Sequence, residues 1–311
     1  MTADVVLRRG LVVAALTPFV GTSVRVDKAR FAAQVDVLAA ARPVAVTVGA
    51  VESQEFQVLT KAARLGLVDA AREGLPDDVP VLAGVSSASL KESIALAGEI
   101  AKRGASVAAA VASPKPWGAA PTPDEAHHWF ATLADASPIP VLLYNNPRLG
   151  VDLSVDTMAR ICSHPNVVAI KETSRDEQKL LGLVNRIQGS AHVYTNMELL
   201  LSTLVLGGSG AMLPTSGLPI ATRLVEAFES GDVAEAARLQ LFFSEFPGRW
   251  TGLGFLPAVK AAAGLMGCDL GEPLWPWSGL DDTARAEMRE FLAKWDLLDH
   301  FAAASTAKET A

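Results

Sequence analysis

Val167-Val-Ala-Ile-Lys171-Glu-Thr173 sets four apolar residues directly before one lysine. A polar helix start, Ser174-Arg-Asp-Glu177, follows at once. A short apolar run closed by a polar turn reads as a strand buried on both faces. Such strands belong to parallel sheets, and in an α/β barrel the C-terminal strand tips carry the chemistry. Lys171 stands at such a tip.

The same strand-then-helix unit recurs on either side. Leu11–Leu16, Val44–Gly49, Pro80–Val85, Ala105–Val111 and Ile139–Tyr144 precede it, and His192–Thr195 and Gly210–Leu213 follow it. Between them lie helix-start signals. These are Asp27, Ser89 with Glu92, Thr122-Pro123-Asp-Glu125, and Ser174 with Glu177. Eight alternations predict a (β/α)8 TIM barrel rather than an open doubly wound sheet. The open sheet would want a GxGxxG turn after the first strand; here that turn reads Thr17-Pro-Phe-Val-Gly21. After about residue 220 the strands stop. Ala221–Ser230, Val233–Glu245, Leu256–Met266 and Thr283–Trp295 read as helices. The expected organisation is a barrel over 1–220 with its eighth helix near 221–230. A C-terminal helical extension of the same domain then covers 231–300, and 301–311 is a frayed tail.

Composition narrows the class. The chain has 311 residues, half of them hydrophobic, and a formal net charge of -7. An acidic chain makes a poor nucleic-acid partner. Its apolar runs are too short for a membrane span or a signal peptide, so a cytoplasmic enzyme is expected. Cys162 and Cys268 stand far apart with no histidine pairing, which predicts lone core thiols rather than a disulfide or a metal site.

Two residues carry the chemical reading. An amine among apolar neighbours is disfavoured as the cation, so Lys171 becomes nucleophilic, and its natural chemistry is a Schiff base with a carbonyl. Tyr144 ends the neighbouring strand and is followed by Asn145-Asn-Pro147. Adjacent strands lie about 5 Å apart, so the two tips can meet at one carbonyl carbon. The phenol can pass a proton as the imine forms. Other candidates are weaker. Gly207-Gly-Ser-Gly210 is either a phosphate loop or a helix stop with a tight turn. Glu172 is either an acid/base or a helix-start support. His127-His128 lies on a helix, away from the tips, and Trp275-Pro-Trp277 reads as a packing or oligomer contact.

Tyr144-Asn-Asn-Pro147 followed by Val168-Ala-Ile-Lys171-Glu-Thr173 resembles the dihydrodipicolinate synthase / N-acetylneuraminate lyase family, the class I pyruvate aldolases. Supporting matches are Ala15-Leu-Thr-Pro-Phe19, His127-His-Trp-Phe130 and Gly210-Ala-Met-Leu213. The resemblance covers roughly residues 10–295 in element order. It implies a barrel with extra C-terminal helices and no metal or organic cofactor. Lys171 would be the Schiff-base lysine and Tyr144 the proton donor and acceptor. The backbone near Met212 would line the site of pyruvate or a related 2-oxo acid. A homotetramer or homodimer is the implied assembly.

Three departures qualify the likeness. The family's strand-two loop usually reads Gly-Thr-Thr-Gly-Glu, where this chain reads Gly49-Ala-Val-Glu-Ser-Gln-Glu-Phe56. Anchoring on Gly49 puts Ala50 and Val51 at the threonines. Anchoring on Leu59-Thr60 puts Glu52 and Ser53 there, and this is preferred because Ser53 keeps a hydroxyl for a carboxylate. After strand four the synthases carry an aromatic pair whose tyrosine reaches a neighbouring subunit's site, whereas this chain has Pro114-Lys-Pro-Trp117. The synthases' arginine for the second substrate sits two places after the proline, but here Arg148 follows Pro147 directly. The expectation is a lyase or synthase making or breaking a C3–C4 bond through a lysine imine. The alternatives are a 2-keto-3-deoxy sugar acid dehydratase using the same imine, a phosphate-binding barrel isomerase, or a non-catalytic barrel.

Overall fold

The structure, a computed structural model, describes residues 7–187 and 189–302. Eight strands close a parallel barrel in sequence order: β1 Gly10–Ala14, β2 Ala45–Val48, β3 Val81–Gly84, β4 Val107–Val111, β5 Val141–Asn145, β6 Val167–Glu172, β7 His192–Thr195 and β8 Gly210–Pro214. The helices between them are α1 Lys28–Ala41, α2 Lys61–Gly74, α3 Leu90–Lys102, α4 Pro123–Ala136, α5 Val155–Cys162, α6 Glu177–Ile187, α7 Leu200–Val205 and α8 Leu218–Glu229. Four more follow: α9 Val233–Gln240, α10 Phe242–Glu245, α11 Phe255–Leu265 and α12 Asp282–Ala293.

Strand alternation sorts the side chains into two cores. On β1, Leu11 and Val13 face the helices, while Val12 and Ala14 face the barrel interior with Leu82, Leu142, Ala169 and Met212. Both faces of each strand are therefore apolar, which is why the strands read as continuous hydrophobic runs. Interior packing also fixes register, because a slip of one residue would swap the two faces.

Several local expectations change. Thr122 and Glu125 do form a reciprocal capping box at α4. Ser89 accepts from the Glu92 amide, but the Glu92 carboxylate turns to the Ser87 hydroxyl. At α6 the start lies later than Ser174: Arg175 adopts a left-handed φ of 64°, and Asp176 accepts from the Lys179 amide. The single helix expected over 233–245 breaks at Leu241 into α9 and α10. Cys162 and Cys268 are both free and buried. The tail expected from 301 onward lies outside the described residues except for Phe301 and Ala302. Phe301 is buried and its amide donates to the Met266 carbonyl at 2.7 Å, so the packed chain reaches past 300.

The loop after β2 is tied into this frame on three sides. Gly84, at the tip of β3, touches it so closely that a Cβ there would lie 1.9 Å from the Gly49 carbonyl oxygen. Gln54 is fully buried and braces the loop from within. Its Oε1 accepts from the Ala50 and Val51 amides at 2.8 and 3.1 Å. Its Nε2 donates to the carbonyls of Ala15, at 2.9 Å, and Thr47. Glu55, left-handed at φ 52°, reaches the C-terminal helices. Its carboxylate accepts from Lys260 Nζ on α11 at 2.9 Å and from the Leu274 amide at 2.9 Å. Burial pushes the Lys260 amine below the usual lysine range, against the pull of Glu55.

Breaking a buried pair strands the surviving charge. Lys260→Met therefore lowers the unfolding free energy by about 3–5 kcal/mol in a urea titration. A loss well under about 1 kcal/mol would mean that Glu55 is solvated rather than held.

Candidate active site

Parallel pairing of β5 with β6 places Tyr144 opposite Lys171, one step before the strands end. Both side chains point into the barrel mouth. Lys171 is 6% exposed and Tyr144 1%. The Lys171 amine lies over the Tyr144 ring, 4.6 Å from its centroid. Burial pushes this amine below the ordinary lysine range. Glu52 and Glu198 oppose that shift, and Arg148 adds to it.

The Tyr144 hydroxyl donates to Glu52 Oε2 and accepts from Asn146 Nδ2 at 2.7 Å. Burial, then the Glu52 charge, pushes the phenol well above its usual value. It is a proton donor aimed at a carboxylate, with no tendency to ionise alone. Tyr194, the chain's other tyrosine, donates instead to the Arg8 carbonyl at 2.7 Å, toward the opposite end of the barrel.

Glu52, Ser53, Arg148, Lys171 and Met212 all line one cavity at this mouth, with Asn146 and Thr173. It is Glu52 and Ser53, not Ala50 and Val51, that face it, because the Ala50 and Val51 amides are turned to Gln54. Glu52, Ser53 and Gln54 form a 3-10 turn well before α2, not the first turn of that helix. Among the described residues the Glu52 and Ser53 amides donate to no protein acceptor. Arg148 sits on an exposed turn, and its guanidinium pairs with no described acid.

Other expectations move away from the mouth. Gly207-Gly-Ser-Gly210 leads into β8, whose first residue is Gly210, and so lies at the far end of the barrel. Its first three amides are already engaged, Gly207 with Leu204, Gly208 with Thr203 and Ser209 with Val193, so they are not free for a phosphate. Glu172 is buried outside the cavity, accepting from Asn145 Nδ2 at 2.8 Å and the Ser174 amide at 2.6 Å. These bonds brace the turn after β6. Trp275 and Trp277 are largely exposed, so they do not pack within this chain. No group of three His, Cys, Asp or Glu side chains suited to a metal occurs among the described residues.

Gln54, Asn146 and Lys260 escaped the sequence reading. Asn146 had a signal, since it lies two residues from Tyr144 in a turn. Gln54 and Lys260 had none, because their partners lie far away in the chain.

Fold and site together define a (β/α)8-barrel enzyme with a desolvated lysine–tyrosine pair at its C-terminal mouth. The profile of the Dihydrodipicolinate synthetase family matches residues 7–294. The 4-hydroxy-tetrahydrodipicolinate synthase of Synechococcus elongatus is 33% identical over 77% of this chain and 79% of its own length. That of Oceanobacillus iheyensis is 29% identical over 78% and 82%. Among solved structures, YagE from E. coli K12, a prophage protein of the same family in complex with pyruvate, aligns with a TM-score of 0.85 at 26% identity. That alignment covers 94% of this chain and all of YagE. The chain belongs to the dihydrodipicolinate synthetase family, and it is a carbon–carbon or carbon–oxygen lyase of that family. No described helix is long and apolar enough to cross a membrane.

The lowered Lys171 amine has a consequence for stability. The unfolded chain binds this proton more tightly than the folded one, so folding below the unfolded value of about 10.4 is disfavoured by the buried amine. Lys171→Met therefore raises the melting temperature at pH 7, and the gain vanishes as pH climbs through about 10.4. Calorimetry across pH checks this; a lower melting temperature for the variant at pH 7 would contradict it.

Proposed function

We propose that this enzyme condenses the Lys171 amine with the keto carbon of pyruvate or a related 2-oxo acid. The observation that carries the reading is the desolvated amine, 4.6 Å from the Tyr144 ring centroid, beside two unengaged amides. The amides of Glu52 and Ser53, with the Ser53 hydroxyl, suit the substrate carboxylate. The backbone near Met212 lines the opposite wall, and Arg148 at the rim suits an anionic group on the second reactant. The imine draws electrons from C3, so a C3–C4 bond can be made or broken. Tyr144 moves the proton. Support comes also from the similarity to YagE, which is in complex with pyruvate. The same reading places the enzyme in the cytoplasm as a homotetramer or homodimer, with the helices beyond 230 as an extension of one domain.

Biosynthetic synthase activity is less well supported than the imine. The segment after β4, Pro114-Lys-Pro-Trp117, has no tyrosine, and the arginine of the synthases is displaced by one position, to Arg148, or absent. Dehydration of a 2-keto-3-deoxy sugar acid uses the same imine and is the second reading. It is favoured by the Glu52 carboxylate beside the phenol, which could take the proton lost from C3.

Incubation with pyruvate and borohydride, followed by peptide mass mapping, is expected to find a reduced adduct on Lys171 and none in Lys171→Ala. Tyr144→Phe should slow adduct formation by about 10²–10⁴-fold. Absence of an adduct with pyruvate and with other 2-oxo acids would remove both readings.

A further inference from the structure

We infer that Glu52 is the proton acceptor behind Tyr144, so that one chain both takes up and returns the substrate proton. The inference rests on the imine reading above and adds the destination of the proton. A hydroxyl at this position could only hand a proton onward; a carboxylate can keep it.

The geometry is specific. The Tyr144 hydroxyl has its proton directed at Glu52 Oε2, and the Asn146 amide donates to the same oxygen and orients it. Asn146 and the Thr173 hydroxyl lie beside the same phenol, and Glu52 is the carboxylate bonded to it. The carboxylate is half-buried. It lines the Lys171 cavity and also borders a second groove with Val58, Phe255 and Trp277, where Val58 and Trp277 are exposed to solvent. Glu52 thus stands between the reacting carbons and water. Its surroundings hold Lys171 from β6 and the exposed Arg148 after β5. Arg175 and Glu198 line the same cavity as an ion pair. Within its own loop, Glu55 is neutralised by Lys260 from α11. The loop holding Glu52 is fixed by Gln54, so the carboxylate is placed without using its own oxygens as anchors.

The step balances within the site. With pyruvate held as the Lys171 iminium, C3 loses a proton to the Tyr144 oxygen while the phenolic proton moves to Glu52 Oε2. The C3–H electron pair becomes the C2–C3 double bond, and the iminium pair returns to nitrogen as an enamine. Reversal through the same two oxygens returns a proton to C3. During bond cleavage the same pair would take the C4 hydroxyl proton as the C3–C4 electrons enter the enamine. Nothing else is consumed, and no residue from a neighbouring subunit is needed. The segment after β4, Pro114-Lys-Pro-Trp117, carries no tyrosine, which fits a relay that ends inside one chain.

Exchange of the pyruvate methyl protons in D2O reads this step without a second substrate. The parent enzyme should form the borohydride-reduced adduct and exchange the methyl protons. Glu52→Gln keeps the hydrogen bond but cannot take a proton. It should still form the adduct and lose about 10²-fold in exchange rate. Glu52→Asp should recover part of the rate. Exchange by Glu52→Gln within about threefold of the parent would overturn the inference while leaving the imine intact, since a proton acceptor contributes about 10²-fold or more. Should Glu52→Gln form no adduct, the comparison passes to Glu52→Asp and Glu52→Thr. Exchange by aspartate but not threonine supports the inference, and equal rates overturn it. A parent enzyme that gives no adduct removes this inference together with the reading beneath it.

Discussion

One cross-strand pair governs the arrangement of this molecule. Tyr144 and Lys171 are register partners on β5 and β6, at the level where the barrel gives way to its loops. The pairing puts an amine and a phenol side by side in a place where water is scarce. Neither group is comfortable there as an ion, and both are shifted toward their neutral forms by the surrounding apolar interior. Ladder hydrogen bonds and two hydrophobic cores hold the strands against any slip that would separate them. The barrel thus maintains an arrangement that its two polar residues would not choose alone, as expected of a functional site.

The acidic loop after β2 completes the site, and its support is long-range. Gln54 ties it to β1 and β2, Gly84 lets it approach β3, and Glu55 ties it to Lys260 on α11. The helices beyond the barrel therefore help to fix a loop at the catalytic mouth. Each of these contacts is buried or partly buried, so each carries more energetic weight than the many ion pairs on the surface.

How much of this could be read from the residues alone depends on the distance over which the cause acts. The strands were legible because both faces of each are buried, which leaves an apolar run in the sequence. Lys171 and Tyr144 were legible because each terminates such a run. The position of Glu52 and Ser53 in the mouth followed from a choice of anchor, and the geometry agrees with the Leu59-Thr60 anchor. The glycine run at the start of β8 stayed open between phosphate loop and helix stop because its composition suits both; its place at the opposite end of the barrel and its engaged amides favour the stop. The Gln54 brace and the Lys260 pair were hidden, since a hydrogen bond across 39 residues or an ion pair across 205 leaves no local pattern. The shift of the α6 start reflects Arg175, whose left-handed backbone is not a preference of arginine.

Because Gln54 and Glu55 supply the scaffold of their loop, the side chains of Glu52 and Ser53 are left to the cavity, and the hydrogen bond from Tyr144 is the tie that Glu52 keeps. These two positions behave as an exchangeable cassette seated on a rigid cradle. Relatives could trade one pair of side chains for another here, altering what the barrel does to its substrate while the chain keeps folding as before. Divergence of chemistry within a constant frame would then need no more than two codons.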